Sequence, residues 1–433
     1  MCALEFYKTI SQSSEPLLRA LLSRRLASGK EHGARLGERQ GTPGLPRPSS
    51  PLIWIHAASV GEAQSALILL DLLLKKNAGL HILMTTGTVS SASLMQKNLP
   101  SNVIHQFYPL DHPRWVKSFL DHWRPNLVLW MESELWPNML GAIKKRNIPA
   151  ILVNARLSEK SFSRWSWIKS SAQKMLSAFS LILAQSEKEA LRYRMLGAGN
   201  VTSTGNIKYS AKPLGFSSDY LKNLHAKTYN RPLWLFASTH KGEEEMACRI
   251  HQKLKNSFPG LLTLIVPRHP DRRAAILQSC QKYNLAMSLR GAEKNLPDEN
   301  TDIYIADTFG ELGLFYRLSP VACIGRSFSD DGGGGHNPIE AAQLNCVVLH
   351  GPGVQFQKEL YNEMNDAGVA FSLKNESELA SSVHDFLSNP EKLEAAQKHA
   401  LNFTLTKTKV IDEILERIDP FLDFSPKQKT VQL

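Results

Sequence analysis

"PLIWIHAASVGEAQSALILL" (residues 51–70) changes its period once, and that change decides the fold. A short apolar run, "PLIWIHA", gives way at small residues to a stretch of helical period, the pattern of a strand, a tight turn and a helix. Ser59 and Glu62 stand three apart at the corner, just ahead of the apolar run. That spells a capping box, in which Ser and Glu each bond a free backbone N–H. It is equally how a catalytic carboxylate looks when a strand–turn–helix corner holds it up to a substrate, and the sequence leaves both readings open.

The same alternation continues on either side of one interruption. "LHILMTT", "VIHQFYP", "NLVLWME", "AILVNA" and "SLILAQ" are further strand candidates, each followed by helical period. Residues 205–230 break the rhythm. It resumes with "LWLFAST", "LLTLIVP", "DIYIAD", "PVACIG", "CVVLHG" and "VAFSL". Strands alternating with helices imply parallel sheets covered on both faces. The expected organisation is an N-terminal helix and linker (1–50), a first Rossmann-like domain (51–207), a connection (208–230), a second Rossmann-like domain with C-terminal helices (231–421) and a polar tail (422–433). Residues 30–50, rich in Gly, Pro and charge, read as a linker or exposed loop. Two doubly wound domains joined this way suggest a cleft, with ligands beyond the carboxyl ends of the strands.

Bulk properties narrow the classes. The chain has 433 residues, 42% of them hydrophobic, enough for two or three cores. Five cysteines without a C-x-x-C pair argue against a disulfide framework or a zinc site and for a reducing, cytosolic setting. A net charge of +11 suits phosphorylated substrates or anionic membrane. No nucleic-acid signature accompanies it, so no nucleic-acid partner is expected. No run reaches the roughly 18 apolar residues of a spanning helix. "EPLLRALLSRRLASGK" instead sets Leu17, Leu18, Leu21, Leu22 and Leu26 among Arg19, Arg24 and Arg25. That is a short basic amphipathic helix, fit either to lie in a membrane interface or to pack on its own domain.

Candidate chemistry sits just past the strands. In "DDGGGGHNPIEAAQ" four glycines precede Asn337 as an N-cap, Pro338 as the first helical residue and Glu340 as the third. A helix start behind glycines favours phosphate. Glu340, one turn in, is placed to take ribose hydroxyls. The plain alternative is an Asn-x-x-Glu cap, although capping alone does not require four glycines. "IVPRHPDRR" presents Arg268, His269, Arg272 and Arg273 to a leaving phosphate, with Arg268 best placed, unless the loop is merely solvated. Gly310 and Glu311 open a helix after "DIYIA". "STHKGEEE" places acidic residues where they also suit a helix dipole. In the first domain Glu132 and Glu134 follow "NLVLWM", where carboxylates are costly unless paired or used, or else serve the helix start with Ser133 as cap. Lys208 of "GNIKY" stands at the entrance to the connection. No His cluster has metal-ligand spacing, so neither metal nor cofactor is expected.

Together, "HAASVGEAQSA", "TTGT", "YPLDHPRWVKSFLDHWRPNLVLWMESELWPN", "GNIKY", "STHKGEE", "PRHPDR", "GELGLFY" and "GGHNPIEAA" resemble, in this order, the 3-deoxy-D-manno-octulosonic acid (Kdo) transferases of lipopolysaccharide assembly. The matching stretches span about residues 34–345. The resemblance implies an α/β fold of GT-B type, two Rossmann-like doubly wound domains facing across a cleft. It implies metal-independent, inverting transfer of Kdo from CMP-Kdo to the tetraacyl disaccharide lipid A precursor, on the cytoplasmic face of the inner membrane of a Gram-negative bacterium. Carried over, Glu62 is the base, and Glu132 (with Glu134 the second choice) and Lys208 support the transition state. CMP contacts Pro267 and Arg268, then Phe309, Gly310 and Glu311, then Asn337, Pro338, Ile339 and Glu340. Two departures stand out. Arg19, Arg24 and Arg25 interrupt the apolar anchor common in the family, which points to surface attachment on anionic lipid, and the glycine run before His336 is longer than usual. The competing readings are a nucleotide-sugar epimerase of the same architecture, acting on a UDP-sugar, and a non-catalytic protein that binds the lipid A precursor.

Overall fold

The computed structural model describes residues 3–291 and 293–424, and the chain divides into two units. One comprises the residues up to Ala211 together with those from Lys409 onward, the other Lys212–Thr408. The first unit carries strands β1 (Leu52–Ala57), β2 (His81–Thr86), β3 (Val103–Phe107), β4 (Leu127–Met131), β5 (Ala150–Ala155), β6 (Leu181–Ala184) and β7 (Val201–Ser203). The second carries β8 (Leu233–Thr239), β9 (Leu262–Pro267), β10 (Met287–Leu289), β11 (Ile303–Ile305), β12 (Val321–Ile324), β13 (Val347–His350) and β14 (Ala370–Ser372). All twelve sequence candidates form strands. The two additions, β7 and β10, are half-buried edge strands whose residues, Val-Thr-Ser and Met-Ser-Leu, make no apolar run.

Every strand pairing is parallel. The orders are β3-β2-β1-β4-β5-β6-β7 and β10-β11-β9-β8-β12-β13-β14. β1 and its neighbours are buried on both faces, as a sheet sandwiched by helices requires. In the first sheet the order reverses between β1 and β4, and in the second between β8 and β12. At such a reversal the following loops diverge to opposite sides and leave a crevice at the carboxyl edge.

The ends of the chain depart from the sequence expectation. Residues 1–50 are no free-standing appendage. Helices Ala3–Ser13 and Glu15–Ala27 and a 3-10 helix, Gly33–Gln40, pack on the first unit, with Tyr7 donating to Asp111 at 3.0 Å. Of the five N-terminal leucines, Leu22 is buried and Leu18 half-buried, while Leu17, Leu21 and Leu26 are exposed. The helix thus packs on its own unit and still shows an apolar, Arg-flanked side. Among the described residues no helix is long and apolar enough to cross a membrane. Helix Ser218–Thr228, expected within a connection, packs in the second unit against helix Leu312–Leu318.

The C-terminal helix Val410–Ile418 belongs to the first unit, contrary to expectation. Val410, Ile411, Ile414 and Ile418 join the core of β1 and β2. Its apolar stripe predicts that it must be covered, not by which sheet. Phe421, Leu422 and Phe424 pack there too, so the chain is not yet a free tail at 422. The rest of that tail, 425–433, lies outside the described residues. Ile414 is fully buried. Ile414→Ala should cost about 2–5 kcal/mol. Hydrogen exchange should report the loss in β1 and β2 and not in β8 or β9. The opposite distribution would return the helix to the second unit.

Candidate functional site

Of the two readings of Glu62, the structure shows the capping bonds directly. Ser59 is the N-cap of helix Val60–Lys76, and its hydroxyl accepts the Glu62 N–H at 3.3 Å. The Glu62 carboxylate reaches back past the cap to the Ala58 N–H, 2.6 Å from Oε2. The capping bonds are therefore real. Yet the side chain is buried, 7% exposed, and sits at the β1–β4 reversal. Burial and the carboxylates of Glu132 and Glu134 push its pKa up to about 7, against the pull of the Ala58 and Ser59 hydrogen bonds. A carboxylate with that pKa changes charge near neutral pH, which suits proton abstraction.

Glu132 lies on the turn directly after β4 with φ +56°, buried. Asn154, fully buried at the end of β5 with φ +55°, donates to Glu132 Oε1 at 3.4 Å. Asn154 also accepts the Ile207 N–H at 3.0 Å through its side chain. It thereby links Glu132 to the loop that presents Lys208, whose Nζ lies 4.0 Å from Glu132 Oε1. Sequence reading missed Asn154. The available signal was an amide in the apolar strand "AILVNA", a residue type that tolerates positive φ. Burial raises the Glu134 pKa, against a hydrogen bond from Trp136. Ser133 is no helix cap, since the next helix, Pro137–Lys145, starts only after Trp136. Glu62, Glu132, Glu134 and Lys208 thus form one cluster in the first unit.

In the second unit the loops after β8 and β12 meet at the other reversal. Glu243 ties them together. Its buried carboxylate accepts N–H groups from His240 at 2.8 Å, Arg326 at 2.8 Å, Ser327 at 3.1 Å and Phe328 at 2.9 Å. The acidic run "GEEE" therefore does more than complement a dipole. Glu244 bonds Thr239 and Arg272, and Glu245 bonds Lys282. Beside these loops His240 contacts Asp331 at 2.9 Å and His336 at 3.1 Å, nitrogen to nitrogen. Burial, then the charges of Arg268, His240, Arg326 and His269, lower the His336 pKa to about 3. Burial disfavours any charge, but the neighbouring Arg268 and Arg326 guanidiniums, which also oppose the proton, favour an anion. His240, His336, Arg326 and Glu243 were not singled out from sequence. Their shared mark there is a polar residue in a glycine-flanked turn after a strand.

The sequence-assigned nucleotide residues divide. Pro267 ends β9 and is buried, and Arg268 follows with its side chain exposed and in no ion pair among the described residues. Arg272 and Arg273, in contrast, are held by Glu244 and Asp307. Phe309 is 78% exposed and Gly310 has open space around it. Glu311 is committed elsewhere. Arg290 grips it through Nε at 2.6 Å and Nη2 at 2.8 Å, and Thr308 donates to it as well.

The helix at 339 differs from expectation. It is a single turn, Ile339–Ala342, with Pro338 at the N-cap. Asn337 lies before the cap, yet its side chain still accepts the Ile339 N–H at 3.2 Å and donates to Glu340 Oε1 at 3.2 Å. Burial raises the Glu340 pKa, while Asn337 and Arg268 oppose the rise. The four glycines all have positive φ, and a Cβ on Gly334 or Gly335 would run into Phe356 or Tyr361. Close packing within the loop is thus one reason for the run, apart from any ligand. Among the described residues no group of three or more His, Cys, Asp or Glu is arranged to hold a metal ion.

A family model described as "3-Deoxy-D-manno-octulosonic-acid transferase (kdotransferase)" matches residues 34–211. The 3-deoxy-D-manno-octulosonic acid transferase of Rickettsia felis is 37% identical over 373 residues, 86% of this chain and 79% of that one. The enzyme of that name from Haemophilus influenzae is 31% identical over 428 residues, 96% and 98% of the two chains. Among solved structures, a glycosyltransferase from Rickettsia africae aligns with a TM-score of 0.57 at 14% identity, covering 87% of this chain and 100% of its own. That likeness shows the fold, two Rossmann-like units of the GT-B type.

Proposed function

The chain belongs to the family of 3-deoxy-D-manno-octulosonic acid (Kdo) transferases, and from that premise we propose that it moves Kdo from CMP-Kdo to the tetraacyl disaccharide lipid A precursor, inverting the anomeric centre without a metal ion. One observation carries the proposal. Glu62 is a buried carboxylate with a pKa of about 7, held by the Ala58 N–H among Glu132 and Glu134.

In this reading Glu62 takes the proton from the acceptor hydroxyl as it attacks the anomeric carbon. Lys208, beside Glu132, offsets the charge that builds around the carboxylates. CMP leaves as an anion, and Arg268 with the cationic surroundings of His336 suits its phosphate. Glu340, bonded to Asn337 and within the field of Arg268, takes the ribose hydroxyls in this reading. Phe309 and Gly310 offer the pyrimidine a flat, open contact, whereas Pro338 and Ile339 are buried and leave only backbone to meet the nucleotide. Exposed Phe6, Ile10, Leu17, Leu21 and Leu26, with exposed Arg19 and Arg24 between them, suit attachment to anionic lipid at the cytoplasmic face of the inner membrane.

The test is direct. Purified protein is given CMP-Kdo and lipid A precursor, with and without EDTA, and the anomeric configuration of the product is read by NMR. Kdo-bearing lipid with inverted configuration and unchanged yield in EDTA is expected. CMP binding without transfer would revive a non-catalytic role, and epimerised sugar from a UDP-sugar an epimerase. An EDTA-sensitive reaction would end metal independence.

A further inference from the structure

The segment read from sequence as a linker contains a buried arginine with four side-chain hydrogen bonds. Arg39 closes the 3-10 helix Gly33–Gln40 and is 5% exposed. Its guanidinium pairs with Glu31 through Nε and Nη2, both at 3.0 Å. Arg25, from helix Glu15–Ala27, grips the same carboxylate at 2.7 Å. With one side anchored, the other side of the Arg39 fork faces the sheet edge. Nη1 donates to the Tyr108 carbonyl at 2.8 Å and Nη2 to the Gly87 carbonyl at 2.6 Å.

Gly87 is the glycine of the "TTGT" turn after β2, and what lies beyond it is the base. The Gly87 N–H donates to the Ala58 carbonyl at 3.1 Å. A Cβ on Gly87 would stand 2.6 Å from that same oxygen, so the turn approaches the β1 corner as closely as backbone can. Ala58 in turn supplies the N–H that holds Glu62 Oε2. A relay of hydrogen bonds, joined through the backbone of Gly87 and of Ala58, therefore runs from Glu31 and Arg39 to the Glu62 carboxylate.

We propose that Arg39 is a positioning residue for Glu62: by fixing Gly87, and through it Ala58, it fixes the N–H that aims the carboxylate and helps to keep it ionised. The proposal rests on reading Glu62 as the base. A buried, bidentate guanidinium suits this role because its planar fork sets two carbonyls and one carboxylate in a single plane, which an ammonium cannot do. The plain alternative is that Arg39 only fastens the N-terminal segment. A neighbour does that without bonding Gly87, Ala58 or Glu62, coming no nearer than the Thr86 hydroxyl through His105. Arg35 pairs with Glu38 and donates to the His105 carbonyl at 3.1 Å, while Glu38 accepts the Phe107 N–H at 2.7 Å. Arg35 thus serves as the internal control.

The experiment compares Arg39→Lys with Arg35→Lys in the full chain. The titration of the Glu62 carboxyl carbon is followed by NMR on protein labelled with 13C-glutamate, and the signal is assigned by its absence in Glu62→Gln. Glu132 and Glu134, which raise the Glu62 pKa, and Lys208 remain in place in both variants. In Arg39→Lys the Glu62 midpoint should rise by about one pH unit, because a donor to the ionised form is loosened. Turnover of Kdo transfer should fall about 10–100-fold with KM nearly unchanged, and its acid limb should move with the midpoint. Arg35→Lys should lower the melting temperature but move neither.

An unmoved Glu62 midpoint in folded Arg39→Lys would overturn the proposal, as would an equal shift in Arg35→Lys. Should Arg39→Lys fail to fold, Gly87→Ala strikes the next link. Its Glu62 midpoint must rise, and a wild-type midpoint would overturn the proposal equally. The titration needs no sugar substrate, so it judges Arg39 even if the wild-type protein proves to transfer no Kdo.

Discussion

Glu62→Gln is expected to lose Kdo transfer by a factor of order 10² or more, with CMP affinity unchanged. Glutamine keeps an oxygen for the Ala58 N–H, so the helix start at Ser59 stays capped. It cannot accept a proton as a carboxylate does. The accompanying melting curve sharpens the argument. The folded Glu62 pKa, about 7, lies above the ordinary glutamate value of 4.5. The folded state therefore binds the Glu62 proton more tightly than the unfolded chain, and ionising Glu62 costs stability from about pH 4.5 upward, fully above pH 7. The charge-free glutamine should match wild type at pH 4 and be equally or more stable at pH 8, by up to about 1.4 kcal/mol for each unit of the shift. Wild-type activity should fall as pH drops through about 7, where Glu62 takes up its proton. Near-wild-type transfer by Glu62→Gln would reduce Glu62 to a cap and move the search for the base to Glu132 and Glu134.

Glu311→Ala should show the largest loss of stability, about 3–5 kcal/mol, because it leaves the guanidinium of Arg290 buried without its partner. That side chain is 0% exposed, and both its Nε and its Nη2 are given to Glu311. Despite the burial that opposes it, the hydrogen bonds from Arg290 and Thr308 and the charges of Arg290 and Lys294 hold the Glu311 carboxyl at about 2. A lowered pKa gives the opposite sign to Glu62. The contribution is complete above the unfolded value of 4.5 and disappears as pH falls toward 2. Urea unfolding, with hydrogen exchange read at β9 and β11, should show a gap between wild type and variant that is full at pH 7 and closes toward pH 2. A gap independent of pH would mean that packing, not the ion pair, sets the cost.

Much of this molecule is legible in its sequence because buried parallel strands must be short apolar runs, and each such run from "PLIWIHA" to "VAFSL" proved to be a strand. The places of the site residues followed from the same logic, since loops after strands gather at the carboxyl edge. What failed to show was pairing. Glu311 and Arg290 are 21 positions apart, and nothing in "DTFGELGLFY" tells that the carboxylate is already taken. Residues 30–50 read as a solvated linker because charged residues usually are solvated, whereas Glu31 and Arg39 are buried by bonding each other. The glycine run suggested a ligand, and it also answers to Phe356 and Tyr361 of its own unit. The helix Val410–Ile418 announces an apolar stripe but not the sheet that will cover it.

That returning helix has a consequence for the order in which the protein is made. The second unit is one continuous stretch, Lys212–Thr408, and can close as soon as the ribosome has released it. The first unit is begun earlier and finished later, because Val410, Ile411, Ile414 and Ile418, with Phe421, Leu422 and Phe424 packed beside them, are synthesised after the rest of its core. Domains of a growing chain ordinarily complete themselves from the N-terminus onward. In this chain that order cannot run to completion: the half that carries Glu62 keeps an apolar flank uncovered until the other half has been synthesised.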